Sequence, residues 1–296
     1  MSFNHPNIAS LNLIKKHHLF LSEYQDADQQ CYFFVETPFA ELYIASHGAH
    51  VLSYKPKDQA ELLWLSDTSA FTPNKAIRGG VPICWPFFGP YKGQITGLET
   101  APNHGFARTQ TWELSNFESL DDEFVMLWRL PNAELQQILG FEFEVEYKVS
   151  VGKQLKLELT TRNLSQDNIV IGGALHSYFN ADITSLRVDN LANHYLDSVD
   201  KKSKQQQIFS LSPQTDRIYP SNDKVISLRD QHHQVSIENI GNDSVVVWNP
   251  GHDLASGMAD VHENAEQQYL CVESAQSSID FVIKPGTSHS LIQVIR

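Results

Sequence analysis

The chain has 296 residues, 41% hydrophobic and 19% charged, with 22 Lys and Arg set against 35 Asp and Glu for a net charge of −13. That balance excludes a disordered chain, and 15 Gly with 13 Pro exclude a collagen-like or low-complexity one. The acid excess opposes binding to a polyanion, so no nucleic-acid partner is expected, and a small anionic ligand would need a local arginine site.

At the N-terminus, residues 1–24 hold no apolar stretch leading to a small-residue cleavage site, and the longest apolar runs, such as 31–35, fall far short of a membrane span of about 20 residues. A soluble, cytoplasmic protein with no membrane partner is expected. Alternation of apolar and polar residues then sets out strands in chain order, at 31–36, 40–45, 124–129, 141–149, 155–160, 169–171, 234–238, 244–248, 268–272, 279–283 and 290–295. The clearest alternation, 141–149, resumes at 155–160 after Gly152-Lys153-Gln154, which reads as a hairpin. Helical periodicity nowhere persists beyond about two turns, so an all-β sandwich of antiparallel sheets follows. With no linker and no repeat, residues 1–296 read as one domain, with 1–29 an N-terminal extension packed on or near it, and a monomer is expected. Two long loops stand out: 73–109, rich in Gly, Pro and aromatic residues, and 196–224, read as a polar excursion.

The three cysteines, Cys31, Cys84 and Cys271, are too scattered for a disulfide framework, and no HExxH, CxxC, phosphate-binding loop or dinucleotide fingerprint is present. No metal and no cofactor are expected, which leaves acid/base chemistry. In residues 77–90, Arg78 precedes Gly79 and Gly80, so it is either a solvated surface residue or a planar grip on phosphate or carboxylate. Trp85, Phe87 and Phe88 of the same stretch read as core. Asn103-His104-Gly105-Phe106-Ala107-Arg108 places a second imidazole and guanidinium in a turn. His176 follows Gly172-Gly173 at a strand end, and Glu273 closes an apolar strand, where it is inert at an edge or tuned for proton transfer in a cleft.

Residues 77–90, 104–108, 175–179, 215–219, 248–250 and 271–273 together resemble the hexose-6-phosphate mutarotases, or glucose-6-phosphate 1-epimerases, of the aldose 1-epimerase superfamily, in order and approximate spacing. The similarity runs from about residue 30 to the C-terminus. It implies a galactose-mutarotase-like supersandwich and a cofactor-free isomerase acting on a small-molecule sugar phosphate. By position it also implies His176 as general acid, Glu273 as general base, Arg78 and Arg108 as the phosphate-holding arginines, Asp216 as a sugar-binding carboxylate and His104 as a residue that shapes the cleft. Anomer interconversion needs one base to take the O1 proton and one acid to protonate the ring oxygen, which such a pair supplies. The resemblance also makes Asn103 a substrate-binding position, though the family usually has Gln there, one methylene longer; the chain departs further in Gly251-His252-Asp253-Leu254, where many relatives carry Trp and Lys, and in Ser274, where proline is common. The alternatives are an epimerase of unphosphorylated sugars, a non-catalytic carbohydrate or sugar-phosphate binding module, and a glycoside hydrolase, which would need a second carboxylate beside Glu273.

Overall fold

The computed structural model describes residue 5 and residues 10–93, 95–278 and 281–296. Asn12–His18 (β1), Leu21–Gln25 (β2), Cys31–Glu36 (β3), Ala40–Ala45 (β4) and His50–Pro56 (β5) form a five-stranded sheet in sequence order. A long loop carrying Ile83–Cys84 (β6) leads to Glu113–Ser119 (β7), Glu123–Arg129 (β8), the helix Ala133–Leu139 (α1), Phe143–Gly152 (β9) and Leu155–Asn163 (β10). There follow Ile169–Val170 (β11), Gly173–Leu175 (β12), Tyr178–Asn180 (β13), Arg187–Asp189 (β14), His194–Asp197 (β15), Lys202–Gln205 (β16), Thr215–Pro220 (β17), Ile226–Arg229 (β18) and Gln234–Ile240 (β19). The chain closes with Ser244–Asn249 (β20), the short helix Gly251–Ala255 (α2), Tyr269–Gln276 (β21), Val282–Ile283 (β22) and Ser288–Ile295 (β23).

A second sheet runs β14-β18-β19-β23-β10-β9-β8-β7, and a third runs β16-β15-β17-β20-β21-β12-β6, with β13 also pairing with β21. These pairings are antiparallel, and β9 and β10 show why the sequence selects them. Tyr147, Val149 and Val151 face Leu159, Leu157 and Leu155 across the ladder, all buried, while Glu144, Glu146 and Lys148 on the other face keep contact with water. Their buried face shares one core with Val245 and Val247 of β20 and Leu270 and Val272 of β21. The third sheet therefore turns one face into the sandwich. Its other face meets Trp64, Ala255, Val261 and Ala265 through Tyr178, Tyr269 and Cys271. Because both faces are covered, every residue of β21 is buried and its sequence lacks clean alternation.

Several expectations change. Within 196–224 the chain ends β15 and forms β16 and β17, so the stretch is not one continuous excursion; the β15–β16 side chains are polar because one face of a peripheral hairpin stays in water. Residues 12–25 are two strands of the first sheet rather than an appendage to it, and β1 is held by its ladder to β2 with little burial, which leaves no alternation to read. The strand read at 279–283 is β22 over Val282–Ile283, and residues 279–280 lie outside those described. Trp85 and Phe87 are core, whereas Phe88 is half-buried. No helix among the described residues is long and apolar enough to cross a membrane.

Candidate active site

The site lies on the outer face of the third sheet, where cross-strand register brings together residues distant in sequence. Asp216 faces Trp248, Trp248 faces Cys271 and Cys271 faces Tyr178 in one row, while the next row runs Ile218, Val246, Glu273. Leu175 pairs with Ser274 and Tyr178 with Cys271, so the register carries unchanged across the break between β12 and β13 and sets His176 opposite Glu273. On the side away from β21, the His176 backbone N–H donates to the Pro82 carbonyl (3.1 Å), which continues the β12–β6 register. Glu273 thus sits in the middle of its strand, not at its end, and is 1% exposed.

His176 Nε2 lies 3.4 Å from Glu273 Oε1. The imidazole stacks flat on Tyr178 (4.9 Å, 10°) and meets His104 (5.6 Å, 72°) and Trp248 (6.1 Å, 75°) edge-on. These rings fix its orientation without using its nitrogens: His176 Nδ1 and Glu273 Oε2 are buried with no hydrogen-bond partner among the described residues. Unpaired polar atoms in so enclosed a place cost stability and mark a site built for something other than stability.

Burial drives both groups of the pair toward their uncharged forms. Glu273 is held well above the usual carboxylate range by desolvation and then by the Asp216 charge, with Arg108 opposing. His176 is pushed well below the usual imidazole range by desolvation, then by His104, Arg108 and Arg78. Neutral imidazole with protonated carboxyl carries the same single proton as imidazolium with carboxylate. The pair therefore holds one proton that shifts between two positions, and burial favours the uncharged arrangement. Burial thus works against a charged His176 beside an ionised Glu273.

Arg78 is fixed by its own backbone. Its N–H donates to Ser69 Oγ (2.7 Å), and Gly80 after it has φ +59 and approaches so closely that a Cβ would lie 2.2 Å from the Val51 carbonyl. Its guanidinium donates through Nε to Asp260 Oδ2 (3.0 Å) and through Nη1 to the Tyr178 hydroxyl (2.9 Å). His104 adopts φ 64, and Gly105 after it fits against Trp85, where a Cβ would come within 2.1 Å of the carbonyl. The His104 Nδ1 accepts the Gly89 N–H (3.2 Å), which leaves its proton on Nε2 as a donor. Burial and the charges of Arg108 and Arg78 take its pKa down to about 3, so it stays neutral near pH 7. Arg108, in the single turn Ala107–Thr109, donates from Nη2 to the carbonyl of exposed Asn103 (2.8 Å). Asn103 thus contributes its backbone, holding the arginine. Asp216 is half-buried, with burial raising its pKa.

Tyr178, Trp248, Trp64 and Asp260 join the site without being among the residues that sequence reasoning nominates. Tyr178 is within reach of such reasoning, since two residues past His176 along an extended chain is the same face. Asp260 gives no signal, lying in an irregular segment 182 residues from its partner. At the departure 251–254 the chain makes α2, and Gly251 is required there: φ is +65, and a Cβ would overlap the Pro213 carbonyl at 1.4 Å.

The family model for aldose 1-epimerase matches residues 36–296. A provisionally named glucose-6-phosphate 1-epimerase from Escherichia coli (strain K12) is 33% identical over 270 residues, covering 88% of each chain. Another from Cenchrus ciliaris is 33% identical over 264 residues, covering 83% of this chain and 78% of that one. The crystal structure of a provisionally named mutarotase from Salmonella typhimurium superposes with a TM-score of 0.88 at 29% identity, covering 96% of both chains. The antiparallel fold is thus galactose-mutarotase-like, and the chain belongs to the aldose 1-epimerase family.

Proposed function

We propose that this epimerase interconverts the α and β anomers of a hexose 6-phosphate, with His176 and Glu273 as the acid/base pair and Arg78 and Arg108 holding the phosphate. The observation that carries the reading is the buried 3.4 Å contact of His176 with Glu273, each with a free polar atom, in the field of both arginines.

In one direction Glu273 takes the proton from O1 while His176 delivers its own to the ring oxygen. The C1–O5 bond breaks, C1 becomes an aldehyde, and the pair is left as neutral imidazole and protonated carboxyl. That is the uncharged arrangement burial favours, so the ring-opening step runs from the charged arrangement of the pair to the uncharged one. Rotation about C1–C2 presents the other face of the carbonyl, and closure returns both protons. In the return sense the roles are exchanged, so the pair completes a cycle without exchanging protons with solvent. His104, neutral with Nε2–H as donor, is suited to hold a sugar hydroxyl, and Asp216 to accept from another.

A second reading, an epimerase of unphosphorylated aldoses, draws on the Arg78–Asp260 ion pair, which offsets part of the charge offered to a phosphate. Exchange NMR of the anomeric protons of glucose 6-phosphate, galactose 6-phosphate and glucose, with catalytic protein, separates the two. Acceleration confined to the phosphorylated sugars is expected, and equal acceleration of glucose would move the assignment to the second reading. Arg78→Ala and Arg108→Ala should each raise KM for the phosphorylated sugar about tenfold or more, since a charge-assisted hydrogen bond contributes about 1.5–3 kcal/mol. Equal losses on an unphosphorylated sugar would remove phosphate recognition from these arginines.

A further inference from the structure

Behind the catalytic pair, inside the sandwich, a polar cluster interrupts an otherwise apolar layer. Gln293 of β23 is 0% exposed and belongs to the opposite sheet, yet its side chain reaches the backs of both strands that carry His176 and Glu273. Ser177, the residue after His176 and likewise 0% exposed, donates its hydroxyl to Gln293 Oε1. Gln293 Nε2 donates to the carbonyl of Val272, the residue before Glu273 (3.2 Å), and to Asn239 Oδ1 (3.0 Å). The ring closes where the Val272 N–H donates to the Ser177 carbonyl (3.1 Å). On the other side of Glu273, the Ser274 hydroxyl donates to the carbonyl of Ile292, again on β23 (3.4 Å).

We infer that Gln293 is a positioning residue for epimerisation, a buried clamp that sets the separation of His176 and Glu273 through Ser177 and Val272. The clamp sits where the sheet is interrupted. Between β12 and β13 the His176 N–H serves the β6 side, and toward β21 the Val272 N–H bond to the Ser177 carbonyl carries the register across, so little backbone pairing holds His176 against Glu273 there. The Gln293 amide spans that gap, taking a donor from one side and giving a donor to the other. A planar amide with both ends committed permits little sliding of one strand against the other. A leucine of similar size would fill the space and satisfy the sandwich, but would leave the Ser177 hydroxyl and Val272 carbonyl without this partner. Proton transfer between the pair and two oxygens of a sugar tolerates little change in distance: a misplacement of about 1 Å from outside the chemistry costs on the order of a hundredfold.

The inference rests on the epimerase reading, and its test separates the two. Gln293→Met and Ser177→Ala are compared with the parent protein by exchange NMR for kcat and KM on glucose 6-phosphate, and by NMR titration of the ¹⁵N-labelled His176 ring. Expected are kcat reduced about ten- to a hundredfold in each folded variant, KM within about threefold, and a changed His176 titration. Folded variants with kcat within threefold of the parent, or with a loss confined to KM, overturn the clamp. If Gln293→Met does not fold, Ser177→Ala, which removes only one oxygen, decides by the same criteria. A parent protein that does not accelerate anomerisation defeats the proposed function, and the His176 titration then still rules on the clamp: an unchanged titration in both variants overturns it.

Discussion

Glu273 separates chemistry from stability, because the same burial that tunes its proton works against its ionised form. Its pKa in the fold is raised above the unfolded value, so the folded protein binds the proton more tightly. The associated stability is present below the unfolded carboxylate pKa and is lost as pH climbs through the raised one, at about 1.4 kcal/mol for each unit spanned. Glu273→Gln keeps the shape and removes the titration. Its thermal midpoint should exceed that of the parent by more at pH 8 than at pH 5, while anomerisation falls by about 10²–10⁴-fold. Scanning calorimetry at the two pH values checks the sign, and a variant less stable than the parent at pH 8 would show that the carboxylate makes an interaction there that burial does not outweigh. His176 has the opposite linkage: its lowered pKa costs stability as pH falls below the unfolded imidazole value, so the pair is most comfortable when it holds one proton.

At the scale of elements, the site loops work because glycine lets backbone meet backbone. Gly105 has φ +75 beside the Trp85 carbonyl, and the Phe106 N–H donates to that carbonyl at 2.8 Å. Gly105→Ala places a methyl inside the contact distance of the carbonyl and demands a conformation that L-residues avoid. A loss of about 2 kcal/mol or more in denaturant unfolding is expected, together with a weaker grip on phosphorylated sugar as His104 and Arg108 shift. An Ala variant of parental stability would mean that this loop relaxes freely. Elements also differ in how far sequence exposes them. The β9–β10 hairpin is plain because one face is wet; β21 is legible only as far as Val272, because a strand covered on both faces has no polar side to alternate with. The β1 and β7 strands, mostly exposed, carry the reverse problem, with too few buried positions to set a rhythm.

At the scale of the whole molecule, the main core and the proposed catalytic pair occupy opposite faces of the third sheet. Leu157 of β10 is 0% exposed in the core between the second and third sheets, away from the face that carries Glu273 and Trp248. Leu157→Ala should lower unfolding free energy by about 2–5 kcal/mol while leaving kcat per folded molecule within about twofold. Urea unfolding and exchange NMR on one preparation test both halves, and a large fall in kcat would show that the core beneath the sheet sets site geometry well beyond the Gln293 clamp. The net charge of −13 belongs to this scale too. An acidic molecule that draws in an anionic sugar must concentrate positive charge locally, which is the part Arg78 and Arg108 play in the proposed function.

The sequence by itself determined the antiparallel sheets and the residue types of the site, because strand alternation is local with a period of two and because the 77–90, 104–108 and 175–179 stretches carry their chemistry in consecutive residues. It determined neither that His176 faces Glu273, nor that Arg78 is already paired with Asp260, nor that the pair prefers its uncharged form. Those outcomes were decided by the tertiary structure. The Arg78–Asp260 contact joins residues 182 apart, and both protonation preferences come from desolvation by chain arriving from elsewhere. Distance in space and exclusion of water are properties of packing, and no local pattern encodes them.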